Sequence, residues 1–172
     1  MAMEDGEIAW FSPDPRGIIP LEAFHVPHGL RKRLKRECFD IRINGAFEPV
    51  IRACAARSET WINQEIIDSY LNLHRLGYAH SVETWRQGKL VGGLYGVSLY
   101  GAFFGESMFH QEADASKVAL VALVDRLVER GFRLLDTQYV TAHLQMFGAV
   151  EISRPKYLRL LKQALALDCK FA

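Results

Sequence analysis

The sequence lacks the features that mark several special classes of protein. It has three cysteines in 172 residues, widely spaced and without a C-x-x-C pair, so neither a disulfide framework nor a zinc finger is indicated. No apolar run approaches the roughly 18 to 20 residues of a membrane span, and the acidic start lacks the basic and apolar regions of a signal peptide. These absences predict a cytoplasmic protein that does not insert into a membrane.

A strong net charge and the common nucleotide-binding motifs are also missing. The chain has 21 Lys plus Arg against 20 Asp plus Glu, so any electrostatic recognition must be local. There is no P-loop, no G-x-S-x-G elbow and no G-x-G-x-x-G turn, and the six histidines lack metal-ligand spacing. We therefore expect no metal and no classical cofactor, and we expect a monomer.

The sequence does have enough apolar material for a core, 49% of its residues, arranged with a clear periodicity. Residues 10–17 hold two prolines and a glycine, which predicts a turning linker that forms neither helix nor central strand. Asn44 is a candidate cap of the first helix, and Gly77 and Gly131 are candidate helix ends. Helices are predicted over 47–54, 62–73, 120–127 and from 155 on, and strands over 80–85, 90–99, 101–109 and 132–140. This order indicates a mixed α/β, or α+β, fold.

The densest charge in the chain is a basic run of five cations in six residues. The run consists of Arg31, Lys32, Arg33, Lys35 and Arg36, and the rest of the chain has 16 basic and 20 acidic residues. Such a cluster suits the neutralisation of nucleic-acid phosphates, since each cation placed on a phosphate releases a counterion. The alternative is an ordinary solvated helix face.

Glu106 and Ser107 lie in a predicted strand that is otherwise aromatic and glycine-rich. A carboxylate in so apolar a setting is costly unless it is paired, so Glu106 either meets a cation or points at water. A cationic ligand is the functional alternative. An intramolecular salt bridge or a position at the sheet edge is the structural one.

Asp136 and Gln138 are two residues apart on another predicted strand, which would place both side chains on one face. They could then hydrogen-bond the same ligand. A Gln amide is not a useful base, but its oxygen can accept a hydrogen bond and aim a nucleophile. The alternative is a pair of polar residues at a solvated strand end.

These segments, in this order, resemble the leucyl/phenylalanyl-tRNA–protein transferases. The resemblance extends from Trp10 to about Leu161 as an ordered series of short matches. They are W-F-S-P-D-P-R at 10–16, the basic run ending at Arg36, T-W-I at 60–62, H-x-L-G-Y-A-H-S-V-E-x-W at 74–85, L-V-G-G-L-Y-G-V at 90–97, F-G-E-S-M-F at 104–109, A-S-K at 115–117 and D-x-Q at 136–138.

The resemblance implies a GNAT-like acyltransferase fold, with a central, mostly antiparallel sheet flanked by helices. It implies an enzyme that moves Leu, Phe or, less readily, Met from aminoacyl-tRNA to the N-terminal amine of a protein beginning with Arg or Lys. The product would be marked for bacterial N-end-rule degradation. Residues 1–15 are expected to be a linker or remnant of the family's small N-terminal domain, and residues 16–172 the catalytic domain.

The resemblance also implies roles for individual residues. Asp136 and Gln138 would be the catalytic pair, with Asp136 accepting a hydrogen bond from the Gln138 side-chain amide. Glu106 and Ser107 would bind the acceptor peptide. The aminoacyl and adenosine pocket would include Trp61, Leu94, Phe103 and Leu127, and the tRNA phosphates would meet Arg31, Lys32, Arg33, Lys35 and Arg36. Leu127 stands where some relatives have an aromatic residue, and Thr137 replaces a common Cys, which bears on amino-acid preference.

Two other functions remain open for the sequence. An acyl-CoA-dependent transferase of the same fold would cradle pyrophosphate with a Q/R-x-x-G-x-G/A turn before a helix. The nearest segment, from Gln111 to Ser116, has Asp114 in place of the first glycine, which would put a carboxylate where backbone amides should meet phosphate. A non-catalytic module that binds tRNA and N-termini is the second alternative.

Overall fold

The computed structural model describes Met3 and residues 7–34, 39–57 and 60–172. The strands in these ranges are β1 (Arg16–Ile19), β2 (Asp40–Ile43), β3 (Ala79–Arg86), β4 (Lys89–Leu99), β5 (Ala102–His110), β6 (Leu134–Gln138) and β7 (Val150–Ile152). In this described part of the chain they form one seven-stranded sheet in the order β2-β3-β4-β5-β6-β1-β7. All neighbours are antiparallel except β5 and β6, which are parallel. The predicted mixed α/β fold with a mostly antiparallel sheet is confirmed.

Helices cover both faces of the sheet. They are α1 (His28–Leu34), α2 (Phe47–Ala55), α3 (Gln64–Arg75), α4 (Ala115–Glu129), α5 (Ala142–Gln145) and α6 (Arg154–Ala164). Successive residues of β4 point to opposite faces, so Leu94 joins the core under α4 while Tyr95 joins the core under α2 and α3. None of the helices in the described ranges is both long and apolar enough to span a lipid bilayer.

The hairpin between β3 and β4 forms where the sequence predicts it. Gln87 and Gly88 both adopt left-handed backbone conformations, with φ of 50° and 75°, and Arg86 pairs with Lys89 across the turn. Two consecutive residues of positive φ match the twist of the flanking strands, which is why Gly is favoured here. The helix ends predicted at Gly77 and Gly131 are also left-handed, with φ of 81° and 77°.

The cap predicted at Asn44 is wrong. α2 begins after Ala46, whose backbone N–H donates to the buried carboxylate of Glu83 at 2.8 Å. The Asn44 side chain instead bonds β3, where its oxygen accepts from the Ser81 N–H at 3.1 Å and its amide lies 3.0 Å from His80 Nδ1. Asn44 has a left-handed backbone conformation, with a φ of 59°, and forms part of the turn between β2 and α2. Its side chain bonds β3 where the backbone pairing of β2 with β3 has ended.

The prediction that residues 10–17 form no central strand is wrong at its end. Arg16 and Gly17 open β1, which lies between β6 and β7 inside the sheet. β1 occupies the four residues between Pro15 and Pro20, so it begins and ends next to residues that cannot donate to the ladder. A side chain at Gly17 would meet the backbone of Tyr139 at 2.6 Å, which explains the glycine.

Candidate active site

The parallel strands β5 and β6 pair over only three residues and then separate. Their last paired residues are Phe104 and Asp136. Just beyond this pair each strand has a β-bulge, in which Glu106 is the extra residue of β5 and Thr137 the extra residue of β6. Bulges bend a strand and redirect its side chains. The region between the two strands beyond Phe104 and Asp136, here called the strand gap, therefore places Glu106 opposite the end of β6.

Asp136 is fully buried and has donors on both carboxylate oxygens. Arg16 binds it bidentately, with Nε 3.0 Å from Oδ1 and Nη2 2.8 Å from Oδ2. The Gln138 backbone N–H donates to Oδ1 at 2.8 Å, and the Tyr157 hydroxyl donates to Oδ2 at 2.5 Å. A carboxylate offers about four acceptor directions, so these four bonds occupy them all.

The Arg16 guanidinium also lies over the Tyr157 ring, 5.0 Å from its centroid. Burial acts against the charge of Arg16, but the hydrogen bond and the charge of Asp136 outweigh it and raise the pKa of Arg16. Burial and the hydrogen bond to Asp136 raise the pKa of Tyr157. At neutral pH the cluster is therefore an ion pair with a neutral, donating phenol.

Gln138 meets Asp136 through its main chain, which differs from the sequence-based hypothesis. The expected donor was the side-chain amide of Gln138, whereas the bond at 2.8 Å comes from its backbone N–H. Gln138 has a φ of 58°, and the Tyr139 N–H donates to the Thr137 carbonyl at 2.6 Å around it. The bulge and this tight turn break the regular alternation of the strand, so spacing by two does not by itself set the side-chain direction.

Glu106 is partly buried, and the Tyr70 side chain lies close enough to its carboxylate to act on its pKa. Burial is the main cause that raises its pKa to about 7, and the nearby charge of Asp136 adds to the increase. No Lys or Arg within the described ranges forms an ion pair with it. Burial, and after it the charge of Glu106, raise the pKa of the Tyr95 hydroxyl. This hydroxyl is buried with no hydrogen-bond partner among the described residues.

Ser107 is engaged within the protein on the far side of the bulge. Its hydroxyl accepts a hydrogen bond from Arg57 Nη2 at 2.9 Å and lies near the Cys54 thiol. Burial raises the pKa of that thiol to about 12, so Cys54 is a neutral core group. These contacts hold the strand next to Glu106 in place.

The four residues expected to line the aminoacyl and adenosine pocket do not come together. Leu94, Phe103 and Leu127 share the core under α4, with exposures of 3%, 0% and 0%. Trp61 packs against the core on the opposite face of the sheet. The Phe171 ring packs against the Phe103 ring at a centroid distance of 5.1 Å, so a residue near the C-terminus contributes to the core under α4.

The basic run lies in part on α1. Leu30 is buried and Leu34 packs against the core under α4, which leaves Arg31 and Lys32 exposed. Arg33 belongs to the same helix. Its side chain, together with Lys35 and Arg36, lies outside the described residues.

The start of α4 carries an ion pair between an acidic residue and a lysine. Asp114 precedes the helix with a φ of 68°, and its carboxylate binds Lys117 at 2.9 Å.

In the described part of the chain, no group of three or more His, Cys, Asp or Glu side chains is arranged to hold a metal ion.

Sequence reasoning did not identify Arg16 or Tyr157 as site residues. Arg16 closes the W-F-S-P-D-P-R segment, whose prolines and glycine predict a linker, and Tyr157 lies in the helix predicted from residue 155 on. In the folded protein both side chains donate hydrogen bonds to Asp136 Oδ2. The signal available was an arginine directly after two prolines, at the first position able to join a strand.

The sheet and the strand gap define a GNAT-like acyltransferase fold. L-PGS from Bacillus licheniformis has a similar structure, with a TM-score of 0.54 and 14% sequence identity over 88% of this chain and 65% of that one. At this identity the similarity concerns the fold alone. The fold expected from the sequence is confirmed.

Residues 18–162 match the family described as leucyl/phenylalanyl-tRNA protein transferase. The protein of that name from Herpetosiphon aurantiacus is 56% identical over 169 residues, which covers 98% of this chain and 88% of its own. The one from Paramagnetospirillum magneticum is 59% identical over 167 residues, covering 95% and 80%. The chain belongs to the leucyl/phenylalanyl-tRNA–protein transferase family. It is thus a transferase whose family name indicates tRNA and protein substrates, as the resemblance implied.

Proposed function

We propose that the protein transfers Leu, Phe and, less readily, Met from aminoacyl-tRNA to the N-terminal amine of proteins beginning with Arg or Lys. The reaction would take place in the bacterial cytoplasm and mark the acceptor for N-end-rule degradation. The observation that carries this proposal is Glu106, a partly buried carboxylate at the strand gap with no ion-pair partner in the described ranges. Residues 16–172 would form the catalytic domain and residues 1–15 a linker to it.

The chemistry required is aminolysis of an ester. The acceptor nitrogen attacks the ester carbonyl carbon, the C–N bond forms, and the C–O bond breaks to return the terminal ribose hydroxyl. An α-ammonium has a pKa of about 7.7 to 8.0, so a sizeable fraction is already the neutral amine near neutral pH. One proton leaves before attack and a second passes from the nitrogen to the leaving ribose oxygen. Correct placement of two bound groups can supply roughly 7 to 11 kcal/mol of the barrier.

Gln138 is suited to placing the nucleophile. Its backbone is fixed by the bond to Asp136 and by the tight turn at Tyr139. A side-chain amide oxygen held on such a rigid turn can accept a hydrogen bond from the attacking amine without taking its proton. As the catalytic pair, Asp136 would fix Gln138, and Gln138 would align the attacking amine.

Glu106 would bind the acceptor. Its ionised form attracts the ammonium or guanidinium of a basic N-terminal residue, and a bound cation in turn favours the ionised carboxylate. The Tyr95 hydroxyl, which lacks a partner in the described ranges, offers a further polar group beside it. Ser107 would act by holding this part of β5 through its bond to Arg57.

The donor side chain would be accommodated next to the core under α4, where Leu94, Phe103 and Leu127 are buried and would support the pocket from within. An apolar pocket distinguishes one methylene by only about 1 to 3 kcal/mol, which agrees with the use of Leu, Phe and Met together. Trp61, on the opposite face, would meet the nucleotide rather than the amino-acid side chain. The exposed cations Arg31 and Lys32, with Arg33, Lys35 and Arg36 of the same run, would contact tRNA phosphates.

The two other functions are less well supported. Phosphate binding at the start of α4 is disfavoured by Asp114, whose carboxylate would be added to a helix N-terminus that otherwise suits anions. A non-catalytic binding module leaves unexplained why an ion pair with a fully buried carboxylate fixes a left-handed Gln at the strand gap.

One assay distinguishes these functions. The protein is incubated with labelled Phe-tRNA or Leu-tRNA and with peptides that differ only in their first residue, Arg, Lys, Ala or Glu. We expect label in the Arg and Lys peptides, abolished by prior RNase treatment. Labelling from acetyl-CoA would instead support the acyl-CoA transferase. Retention of tRNA on a filter without any labelled peptide would support the binding module.

A further inference from the structure

The Asp136 carboxylate is the most completely bonded acidic group at the strand gap. Its hydrogen-bond donors come from three places in the chain: the Arg16 guanidinium at the start of β1, the Tyr157 hydroxyl of α6 and the Gln138 backbone N–H. The residue is fully buried. An oxygen that already accepts two short hydrogen bonds has no lone pair left for the proton of a substrate amine.

These contacts fix the direction of the neighbouring backbone as well as the carboxylate. Gln138 is held at a φ of 58°, a conformation that is unfavourable for a residue with a side chain. The hydrogen bond from its N–H to Asp136 supports that conformation, and the Arg16 fork prevents the carboxylate from rotating away. Loss of Arg16 or Tyr157 would release the carboxylate and, through it, the turn.

We propose that Arg16 and Tyr157 are positioning residues of the transfer reaction, which hold Asp136 so that it orients Gln138 and takes no proton. This inference rests on the proposed function, because it assigns Asp136 and Gln138 to the reacting pair. Arg16 and Tyr157 touch Asp136 and act through it.

The test measures kcat, KM for Phe-tRNA and thermal stability of the full chain for Tyr157→Phe, Arg16→Lys and Arg16→Ala. Tyr157→Phe removes one charge-assisted hydrogen bond and should lower kcat about tenfold. Arg16→Ala should lower kcat roughly 100-fold, the scale of a misplaced reacting group. In both, KM for Phe-tRNA should stay near the wild-type value. Arg16→Lys keeps the positive charge but loses the bidentate guanidinium, so its kcat should lie between those of Tyr157→Phe and Arg16→Ala.

Chemical rescue separates positioning from general structural support. Added guanidinium ion should restore part of the kcat of Arg16→Ala, whereas ammonium at the same concentration should not, because only guanidinium offers the fork. Two matched controls are Arg154→Gln, which removes an exposed arginine bound to Asp14 and the Ser12 carbonyl, and Tyr100→Phe at an exposed tyrosine. Both should keep the wild-type kcat.

The failure of this inference can be told from the failure of the proposed function. If the wild type forms no labelled peptide, both are overturned. If the wild type is active and Tyr157→Phe and Arg16→Ala keep its kcat, only the positioning role is overturned. A loss of kcat that accompanies an equal loss of tRNA binding, and that guanidinium does not reverse, also overturns it.

Discussion

Arg16 and Asp136 are 120 positions apart in the chain, and their side chains meet as a bidentate ion pair with Nη2 2.8 Å from Oδ2. The contact exists because β1 lies antiparallel beside β6, so the first strand of the sheet delivers its first residue to the end of the strand that carries Asp136. The first strand of the sheet is therefore part of the candidate site. Breaking the pair leaves an uncompensated buried charge, which is more costly than the loss of an exposed pair.

Gly17→Ala should destabilise the protein and reduce transfer. Its added Cβ would meet the backbone of Tyr139 at 2.6 Å, and the backbone there forms the turn around Gln138. Overpacking of this kind costs about 1 to 3 kcal/mol. Urea denaturation and the transfer assay on the same variant check both effects.

Gly29→Ala is the matched control for that substitution. Gly29 lies in α1, and a Cβ there would have no neighbour within 4 Å. Since Ala favours helix over Gly by about 0.5 to 1 kcal/mol, this variant should be as stable as the wild type or slightly more stable. Equal destabilisation by both alanines would contradict the close approach of β1 to Tyr139.

Glu106→Gln should change how stability depends on pH. The carboxyl has a usual pKa of 4.5 and about 7 in the folded protein, so between these values the unfolded chain loses a proton that the folded chain keeps. Wild-type stability attributable to this group therefore falls as the pH rises from 4.5 to about 7 and is level above. The variant should lack this decrease and be more stable than the wild type at neutral pH by roughly 1 to 3 kcal/mol.

Denaturation curves at a series of pH values measure this difference. Glu129→Gln, at an exposed position of α4, should reproduce the wild-type profile. Parallel curves for wild type and Glu106→Gln across the whole range would show that Glu106 is not held in a desolvated environment.

Glu106→Gln should also weaken the use of basic acceptors. Loss of the carboxylate removes the attraction for the ammonium or guanidinium of the first acceptor residue, worth about 1.5 to 3 kcal/mol for a hydrogen bond to a charged group. KM for an Arg-starting peptide should rise at least tenfold, while KM for Phe-tRNA changes little. Initial rates at varied concentrations of each substrate provide the measurement. An equal rise in both KM values would argue against acceptor binding by Glu106.

Arg31→Gln combined with Lys32→Gln should reduce the salt dependence of tRNA binding. Each cation that neutralises a phosphate contributes about one to the slope of log affinity against log salt, so two lost contacts should flatten it by about two. Filter binding at several salt concentrations gives the slope. Arg52→Gln, which removes an exposed cation paired with Glu48 on α2, is the control and should keep the wild-type slope. An unchanged slope in the double variant would place the tRNA elsewhere.

The parts of the fold that depend on neighbouring residues could be predicted from the sequence. The turn at Gln87 and Gly88 needs two residues that tolerate positive φ between two apolar strands, and both the turn and the strands are present. α3 likewise follows from apolar spacing and ends before the left-handed Gly77. Such elements form from information contained within a few residues.

The parts of the fold that depend on residues far apart in the chain could not be predicted from the sequence. β1 is only four residues long and follows two prolines, and its place between β6 and β7 is determined by strands more than 100 residues away. The bulges at Glu106 and Thr137 are properties of strand pairing, which no single segment specifies. For that reason the sequence indicated Asp136 and Gln138 as a pair but assigned the hydrogen bond between them to the wrong donor.

The most direct test of the proposed transfer reaction is the mass of an acceptor peptide after reaction. A peptide with an N-terminal Arg is incubated with the protein and Phe-tRNA, and fragmentation locates any added mass. We predict one phenylalanyl residue on the α-amine of that Arg, with no addition to an otherwise identical peptide that begins with Glu. A peptide recovered unmodified from wild-type protein that binds Phe-tRNA, or modified equally whatever its first residue, would contradict the proposed reaction.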